Sequence, residues 1–402
     1  MLFRKNKSGK NGEKYDSKKE MREFLRRPAN TAFKQQRLKA WQPILTPKTV
    51  IPTFFIIGII FAPLGGILYW GSTKVNEFTI DYTNCDTDAP TDGIFSPLSN
   101  SDWSYHLSGS YSSPSSPTWT FANNTGQTNA TVGQEESCTV QFDLPKALDP
   151  PVFMYYKLTN YYQNHRRYVR SEDSDQLKGN AVSYSTIQGG TCKPVDVEPG
   201  TGLPYYPCGL IANSVFNDTY NLPQLITPSG GNSEIITYNM TDSGIAWSGE
   251  AKKYQKSSYA NNQVVPPPNW ALKYPDGYTD SNPIPDLSQD EHFQVWMRTA
   301  GLPTFRKLYY RNDNEVMQQG RYEIQIFLNY PVARFHGTKS LVFSTVSFIG
   351  GRNPFLGIAY MATGGASILI GIFLTVVHFI RPRKLGDMSY LSWNQPDKKG
   401  DR

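Results

Sequence analysis

Two uncharged apolar stretches near the ends of this 402-residue chain constrain its fold more than any motif does. The first runs from Thr49 to Thr73, between Lys48 and Lys74. The second runs from Asn353 to Val377, between Arg352 and, after His378, Arg381. Each is about 25 residues long, and at ~1.5 Å rise per residue a helix of that length crosses a hydrocarbon core of ~30 Å. Two spans place both termini on one side of a membrane and the long middle segment on the other. The expected layout is a tail over 1–48 with a juxtamembrane segment at 28–47, a span over 49–73, an ectodomain over 74–352, a second span over 353–380 and a tail over 381–402.

Charge orients this layout. The net +6 hides an asymmetry: the first 48 residues carry 14 Lys/Arg against 4 Asp/Glu, and the last 22 carry 6 against 3. The segment between them is net acidic. Cytosolic flanks are enriched in Lys and Arg, so both tails are expected in the cytosol and the middle in the lumen or outside the cell. Lys34, Arg37, Lys39 and Lys48 carry this signal before the first span; Arg381, Arg383 and Lys384 carry it after the second. The basic tail has no nucleic-acid-binding pattern, and weak attraction to anionic lipid is its expected extra role. The first stretch begins too far into the chain, and is too long, for a cleaved signal peptide; it reads as a signal anchor.

Sequons and cysteines give an independent check on topology. Asn123, Asn129, Asn217 and Asn239 head Asn-x-Ser/Thr triplets, all in the middle segment, and are candidate N-glycan carriers. Asn6 heads a fifth, which a cytosolic tail leaves unmodified. Cys85, Cys138, Cys192 and Cys208 also fall in the middle, and an even count in an oxidising compartment predicts two disulfides. Three pairings are open; the favoured one joins sequential neighbours, Cys85 to Cys138 and Cys192 to Cys208.

The middle segment reads as β. Tyr322, Ile324, Ile326, Leu328 and Tyr330 alternate on one face, as do Leu341, Phe343 and Thr345, and Val140, Phe142 and Leu144. Residues 153–159 add an aromatic strand. An antiparallel β-sandwich-like ectodomain is expected, with short helices at 160–178 and 289–300 and irregular loops at Ser99–Asn129 and Lys193–Pro204. Before the first span, Phe33, Leu38 and Trp41 are placed to share part of one helical face, ended by Pro43 and Pro47. That segment fits either a docking strap or an interfacial helix with Trp41 at headgroup level. Within the spans, Gly58, Ala62 and Gly66 recur every four residues, as do Ala359, Thr363, Ser367 and Gly371. Such stripes let helices approach closely in lipid, either one another or a larger membrane protein. Pro63 predicts a kink unless packing satisfies the freed carbonyl.

Catalytic chemistry is missing. Five histidines are scattered without ligand spacing, and there is no nucleophile elbow, phosphate loop or dinucleotide fingerprint. The Asp-Lys-Thr-Gly-Thr signature of P-type pumps is also missing. Neither apolar stretch, 49–73 or 353–377, holds an acidic or basic residue, and two helices are too few to enclose a transport path. The residues alone leave an accessory subunit, an independent surface receptor or adhesion glycoprotein, and a membrane-anchored ectoenzyme as the function classes.

Specific segments narrow this. The run Asn30-Thr-Ala-Phe-Lys-Gln-Gln-Arg-Leu-Lys-Ala-Trp-Gln-Pro-Ile-Leu-Thr-Pro47 resembles the juxtamembrane motif of the cell division control protein 50 family. These are accessory (beta) subunits of type-IV P-type ATPases, the phospholipid flippases. The resemblance continues at Tyr161-Tyr-Gln-Asn-His-Arg-Arg-Tyr-Val169, at Tyr206-Pro-Cys-Gly-Leu-Ile-Ala-Asn-Ser-Val-Phe-Asn-Asp-Thr219, at Pro266-Pro-Pro-Asn-Trp270, at Tyr274-Pro-Asp-Gly-Tyr278, at Gln294-Val-Trp-Met-Arg298 and at Gly350-Gly-Arg-Asn-Pro354. The four cysteines fit fungal members. The resemblance implies a non-catalytic partner that forms a heterodimer with a catalytic alpha subunit. It lets that pump leave the endoplasmic reticulum for the Golgi, endosome or plasma membrane, and supports phospholipid movement from the exoplasmic to the cytosolic leaflet. No cofactor is then expected on this chain beyond N-linked glycans; ATP, Mg and the phospholipid belong to the pump, and the remaining contacts are with membrane lipids. The candidate partner-interface residues are Phe33, Arg37, Trp41, Gly58, Ala62, Gly66, Arg352, Asn353, Thr363 and Ser367. His165-Arg166-Arg167-Tyr168 fits either pairing with pump carboxylates or an internal contact.

Overall fold

A computed structural model describes residues 30–40, 45–125, 132–228, 235–382, 388 and 391. Its helices are α1 (Pro47–Thr73), α2 (Cys85–Asp88), α3 (Arg166–Val169), α4 (Ser174–Leu177), α5 (Tyr184–Gly189), α6 (Leu210–Asn213), α7 (Ser248–Ala251), α8 (Glu291–Met297) and α9 (Pro354–Ile380). The strands are β1 (Glu77–Asp81), β2 (Ser96–Pro97), β3 (Trp103–His106), β4 (Thr118–Asn123), β5 (Glu136–Leu144), β6 (Val152–Leu158), β7 (Thr219–Tyr220), β8 (Gln224–Pro228), β9 (Ile236–Thr237), β10 (Phe305–Asn312), β11 (Gly320–Phe327) and β12 (Lys339–Thr345). The chain divides into two units, 1–60 with 364–402, and 61–363.

The larger unit holds two antiparallel sheets. One has five strands in the order β10-β6-β12-β1-β3; the other has seven, ordered β2-β4-β5-β11-β8-β9 with β7 also on β11. Inward-facing residues of both form one core. Phe78 lies opposite Phe343 in register, with ring centroids 4.9 Å apart, and both rings meet Phe142 of the other sheet at 5.1 and 5.7 Å. This is the expected sandwich: period-two strands bury one face, and two such faces close on each other. β1 follows α1 directly and β12 leads directly into the turn before α9, so the two central neighbours of the five-stranded sheet are the strands tied to the spans.

Three expectations change. The loop expected over Ser99–Asn129 contains β3 and β4. In β4 Trp119, Thr120 and Phe121 are all buried in succession, because the Thr120 hydroxyl donates to the carbonyl of Pro90 while its neighbours enter the core. A strand covered on both faces loses its alternation. The strand expected to reach Tyr330 ends at Phe327, because Asp218 accepts the backbone N–H of Asn329 and of Tyr330, both at 2.6 Å.

The smaller unit supplies the third. Residues 30–40 are not a helix carrying Phe33 and Leu38 on one face. A single turn, Gln35 N–H to Thr31 O at 3.0 Å, is broken where Gln36 takes φ +53°. A left-handed residue cannot continue a right-handed helix. Phe33 is 76% and Leu38 61% exposed, and Arg37 donates to the Asn30 side chain. Trp41 lies outside the described residues. Pro47 opens a helix where it was expected to end one: it is the first residue of α1, where its missing N–H costs nothing. α1 then runs unbroken through Pro52 and Pro63.

Candidate functional site

The two long helices are the only described ones long and apolar enough to cross a membrane, with mean hydropathy 2.2 and 1.9. In the larger unit they meet through glycine. A Cβ on Gly65 would come 2.6 Å from the Met361 backbone nitrogen, and one on Gly357 would come 2.6 Å from that of Tyr69. The Phe61 and Tyr360 rings pack at 5.1 Å beside them. In the smaller unit Gly58 faces Ile368 and the Gly364 carbonyl, and Gly371 faces the Phe55 ring. The glycines at 357, 364 and 371 are seven apart, as are Gly58, Gly65 and Ser72. That is the spacing of a coiled-coil seam.

This seam changes the reading of the small-residue stripes. Gly58 and Ser367, expected at a partner, are buried among the chain's own helices. Gly66 has nothing within 4 Å of its would-be Cβ, Thr363 is exposed, and Ala62 is half-buried. Of the expected interface residues in the spans, Gly66 and Thr363 are therefore the ones open to a further helix. Counting every fourth residue selected Gly66 where the close approach belongs to its neighbour Gly65.

At the ectodomain end, polar groups fix the junction. Asn353 caps α9, its Oδ1 accepting from Phe355 N–H at 3.2 Å with Pro354 at the first helical position, while its own N–H donates to the Ser72 hydroxyl at 3.0 Å. Asn76 and Thr345 exchange backbone and hydroxyl bonds, joining the foot of β1 to the end of β12. The Arg306 guanidinium lies 4.9 Å from the Tyr155 ring centroid and pairs with Glu77, and Gly351 sits against it. Arg352 is half-buried close to His106. Burial first, and then the Arg352 charge, hold that imidazole below its ordinary value. The Lys74 amine lies 5.5 Å from the Trp70 ring centroid. Asn353 is thus a helix cap, and Arg352 and Lys74 are the cations at the boundary.

The other expected sites fall on the sandwich. Cys85 joins Cys138, tying α2 to β5, and Cys192 joins Cys208. Asn123 and Asn239 are exposed, Asn217 is half-buried with its Oδ1 out of water, and Asn129 lies outside the described residues. Arg166 and Arg167 are exposed on α3 and, among the described residues, meet no carboxylate; Tyr168 turns inward to the Ser214 hydroxyl at 2.8 Å. Two buried lysines were not foreseen. Lys339 pairs with Asp218, and Lys307 gives its three protons to the carbonyls of Val295, Trp296 and Arg298 at the end of α8. Neither is marked by local alternation: β12 is buried along its whole length, and β10 is irregular between Leu308 and Tyr310.

Two apolar spans joined at their glycines, with an antiparallel sandwich between them, define a two-pass membrane protein. The chain belongs to the LEM3 (ligand-effect modulator 3) family / CDC50 family, whose profile matches residues 68–384. It is 43% identical to the phospholipid-transporting ATPase accessory subunit CDC50 of Chaetomium thermophilum over 378 residues, 93% of each chain. It is 40% identical over 385 residues to the accessory subunit CRF1 of Saccharomyces cerevisiae, covering 96% of this chain and 93% of that one. It is also 40% identical over 365 residues to cell cycle control protein 50A of Bos taurus, covering 88% and 89%.

Proposed function

We propose that this chain is the non-catalytic accessory subunit of a phospholipid-transporting ATPase of the type-IV P-type class. It pairs one-to-one with a catalytic alpha subunit, lets that subunit leave the endoplasmic reticulum, and supports phospholipid movement to the cytosolic leaflet. Both termini lie in the cytosol, the sandwich lies on the exoplasmic side with N-glycans, and ATP, Mg and phospholipid bind the pump. The observation that carries this reading is near-full-length identity of about two residues in five to proteins named as such subunits. The open Gly66 and Thr363 positions support it, since small residues facing outward in lipid let a further helix approach. Affinity purification of the tagged chain at native expression, in mild detergent, is expected to recover a P-type ATPase in equal amount. Recovery of the chain alone would reject the reading.

A further inference from the structure

The turn between β12 and α9 carries residues unsuited to a turn in water. Ser347 and Gly350 exchange both backbone hydrogen bonds at 2.9 Å, which leaves Phe348 and Ile349 as a two-residue tip. Tips of this kind favour Asn, Asp and Gly. Here Phe348 is 71% and Ile349 40% exposed. Gly350, at φ +99°, closes the turn where a Cβ would be strained. The closure pairs the backbone of Ser347 and Gly350, and the Ile349 N–H turns to the Ser347 hydroxyl at 3.4 Å, so the remaining tip carbonyls suit the hydrated interface at the edge of the hydrocarbon.

The tip is held at a defined depth. Its base is β12 on one side and Gly351, seated against the Arg306–Glu77 pair, on the other. The tip side chains rest on the last turn of α1: a Cβ on Gly71 would come 2.8 Å from Ile349 Cδ1 and 2.9 Å from Phe348 Cε1. A ~30 Å hydrocarbon core takes about 20 helical residues. Centred on the apolar stretch Thr49–Thr73, it ends close to Gly71. The tip therefore sits at the edge of the hydrocarbon. Its surroundings match that level. Trp70 and Phe355 are 57% and 75% exposed, and Lys74 and Arg352 supply cations at the height of lipid phosphates.

We propose that the Phe348–Ile349 tip inserts into the ectodomain-side leaflet and, with Lys74 and Arg352 at the phosphates, sets the height of the sandwich above the bilayer. The occupant of the exposed tip is lipid. The test uses the full chain in phosphatidylcholine–phosphatidylserine nanodiscs, with a nitroxide on Phe348→Cys, on Ile349→Cys, or on Ile94→Cys as a control that is 65% exposed on the ectodomain. The four native cysteines are in disulfides and do not label. Collisions with oxygen, relative to those with a water-soluble nickel chelate, are expected to be severalfold higher at 348 and 349 than at 94. A ratio equal to that at 94 places the tip in water and overturns the proposal. Low collision rates with both reagents place protein over the tip and overturn it equally. Ile349→Cys leaves Phe348 on Gly71, so the outcome does not hinge on the larger substitution.

Discussion

Lys339 Nζ lies 2.8 Å from Asp218 Oδ2 in the interior of the sandwich, where the two side chains are 6% and 0% exposed. Every oxygen of this carboxylate is used. Oδ1 takes the N–H groups of Asn329 and Tyr330, and Oδ2 takes the Tyr82 hydroxyl as well as the ammonium. Lys339 also donates to the Tyr330 carbonyl and lies over the Tyr82 ring. One ion pair thus ties β12, the end of β1, the foot of β7 and the point where β11 leaves its sheet. Asp218→Ala strands an ammonium in the core and is expected to destabilise the protein by about 3–5 kcal/mol. It keeps the Asn217-x-Thr219 triplet intact. Thermal unfolding of the purified chain checks this against Lys178→Ala, which removes an exposed pair with Asp175. Equal shifts for the two variants would reject the role given to Asp218.

Lys307 carries the second prediction. Burial, and secondarily the Arg298 charge, push its amine down to about 7. In the unfolded chain the ordinary lysine value of about 10.5 returns. Between these values the unfolded state binds more protons, so stability rises with pH from about 7 toward 10.5 and is flat below about 7. The slope is at most about 1.4 kcal/mol per pH unit. Tyr82 and Tyr220, whose hydroxyls burial pushes well up, stay protonated across this window. Unfolding temperatures at pH 7, 8 and 9 are expected to climb in the wild type, and to climb less in Lys307→Met. Parallel curves would show that Lys307 does not titrate here.

The spans and most long strands were legible in the sequence because each signal is local: an uncharged run, or alternation within one segment, as at Tyr322–Ile326. What was not legible depends on partners far along the chain. Asp218 meets Lys339 across more than 100 residues, and the end of β11 is set by that same carboxylate. β4 lost its alternation because Pro90 covers its outer face. The helix seam departs from the four-residue count for a related reason. Single-helix reasoning counts every fourth residue, whereas two paired helices select every seventh, which moves the contact from Gly66 to Gly65.

Gly209 yields the third prediction. It follows Cys208, takes φ +102°, and presses its α-carbon side against the Ser171 carbonyl, which a Cβ would strike. Its N–H donates to the Val195 carbonyl at 2.8 Å, within the small core that surrounds the Cys192–Cys208 bond. Gly209→Ala is expected to lower stability by more than about 1 kcal/mol, since both conformation and space exclude the methyl. Cys192→Ser with Cys208→Ser, which opens a loop of 16 residues, is expected to lower it by about 3 kcal/mol. Chemical unfolding of each variant measures both. Gly200→Ala, in open space at ordinary φ, serves as the neutral control.

Gly65 and Gly66 separate the fold of the chain from its proposed assembly. At Gly65 a Cβ meets the Met361 nitrogen at 2.6 Å and the Gly357 carbonyl at 2.8 Å, and backbone atoms cannot turn aside. Gly65→Leu therefore forces the helices apart, at a penalty of roughly 1–3 kcal/mol for overpacking. Less folded protein and immature glycans are expected, whatever the partner. At Gly66 a Cβ meets nothing within 4 Å, so Gly66→Leu leaves the chain's own packing unchanged and alters only its outer surface. If that surface seats a helix of the catalytic subunit, Gly66→Leu yields a stable, correctly folded chain that co-purifies less of the ATPase, and Thr363→Leu does the same on α9. Normal unfolding temperature with undiminished co-purification in both variants would place the membrane interface on another face of the helix pair. Loss of folded protein in Gly66→Leu would instead show that the open position is filled within the chain, contrary to the packing described.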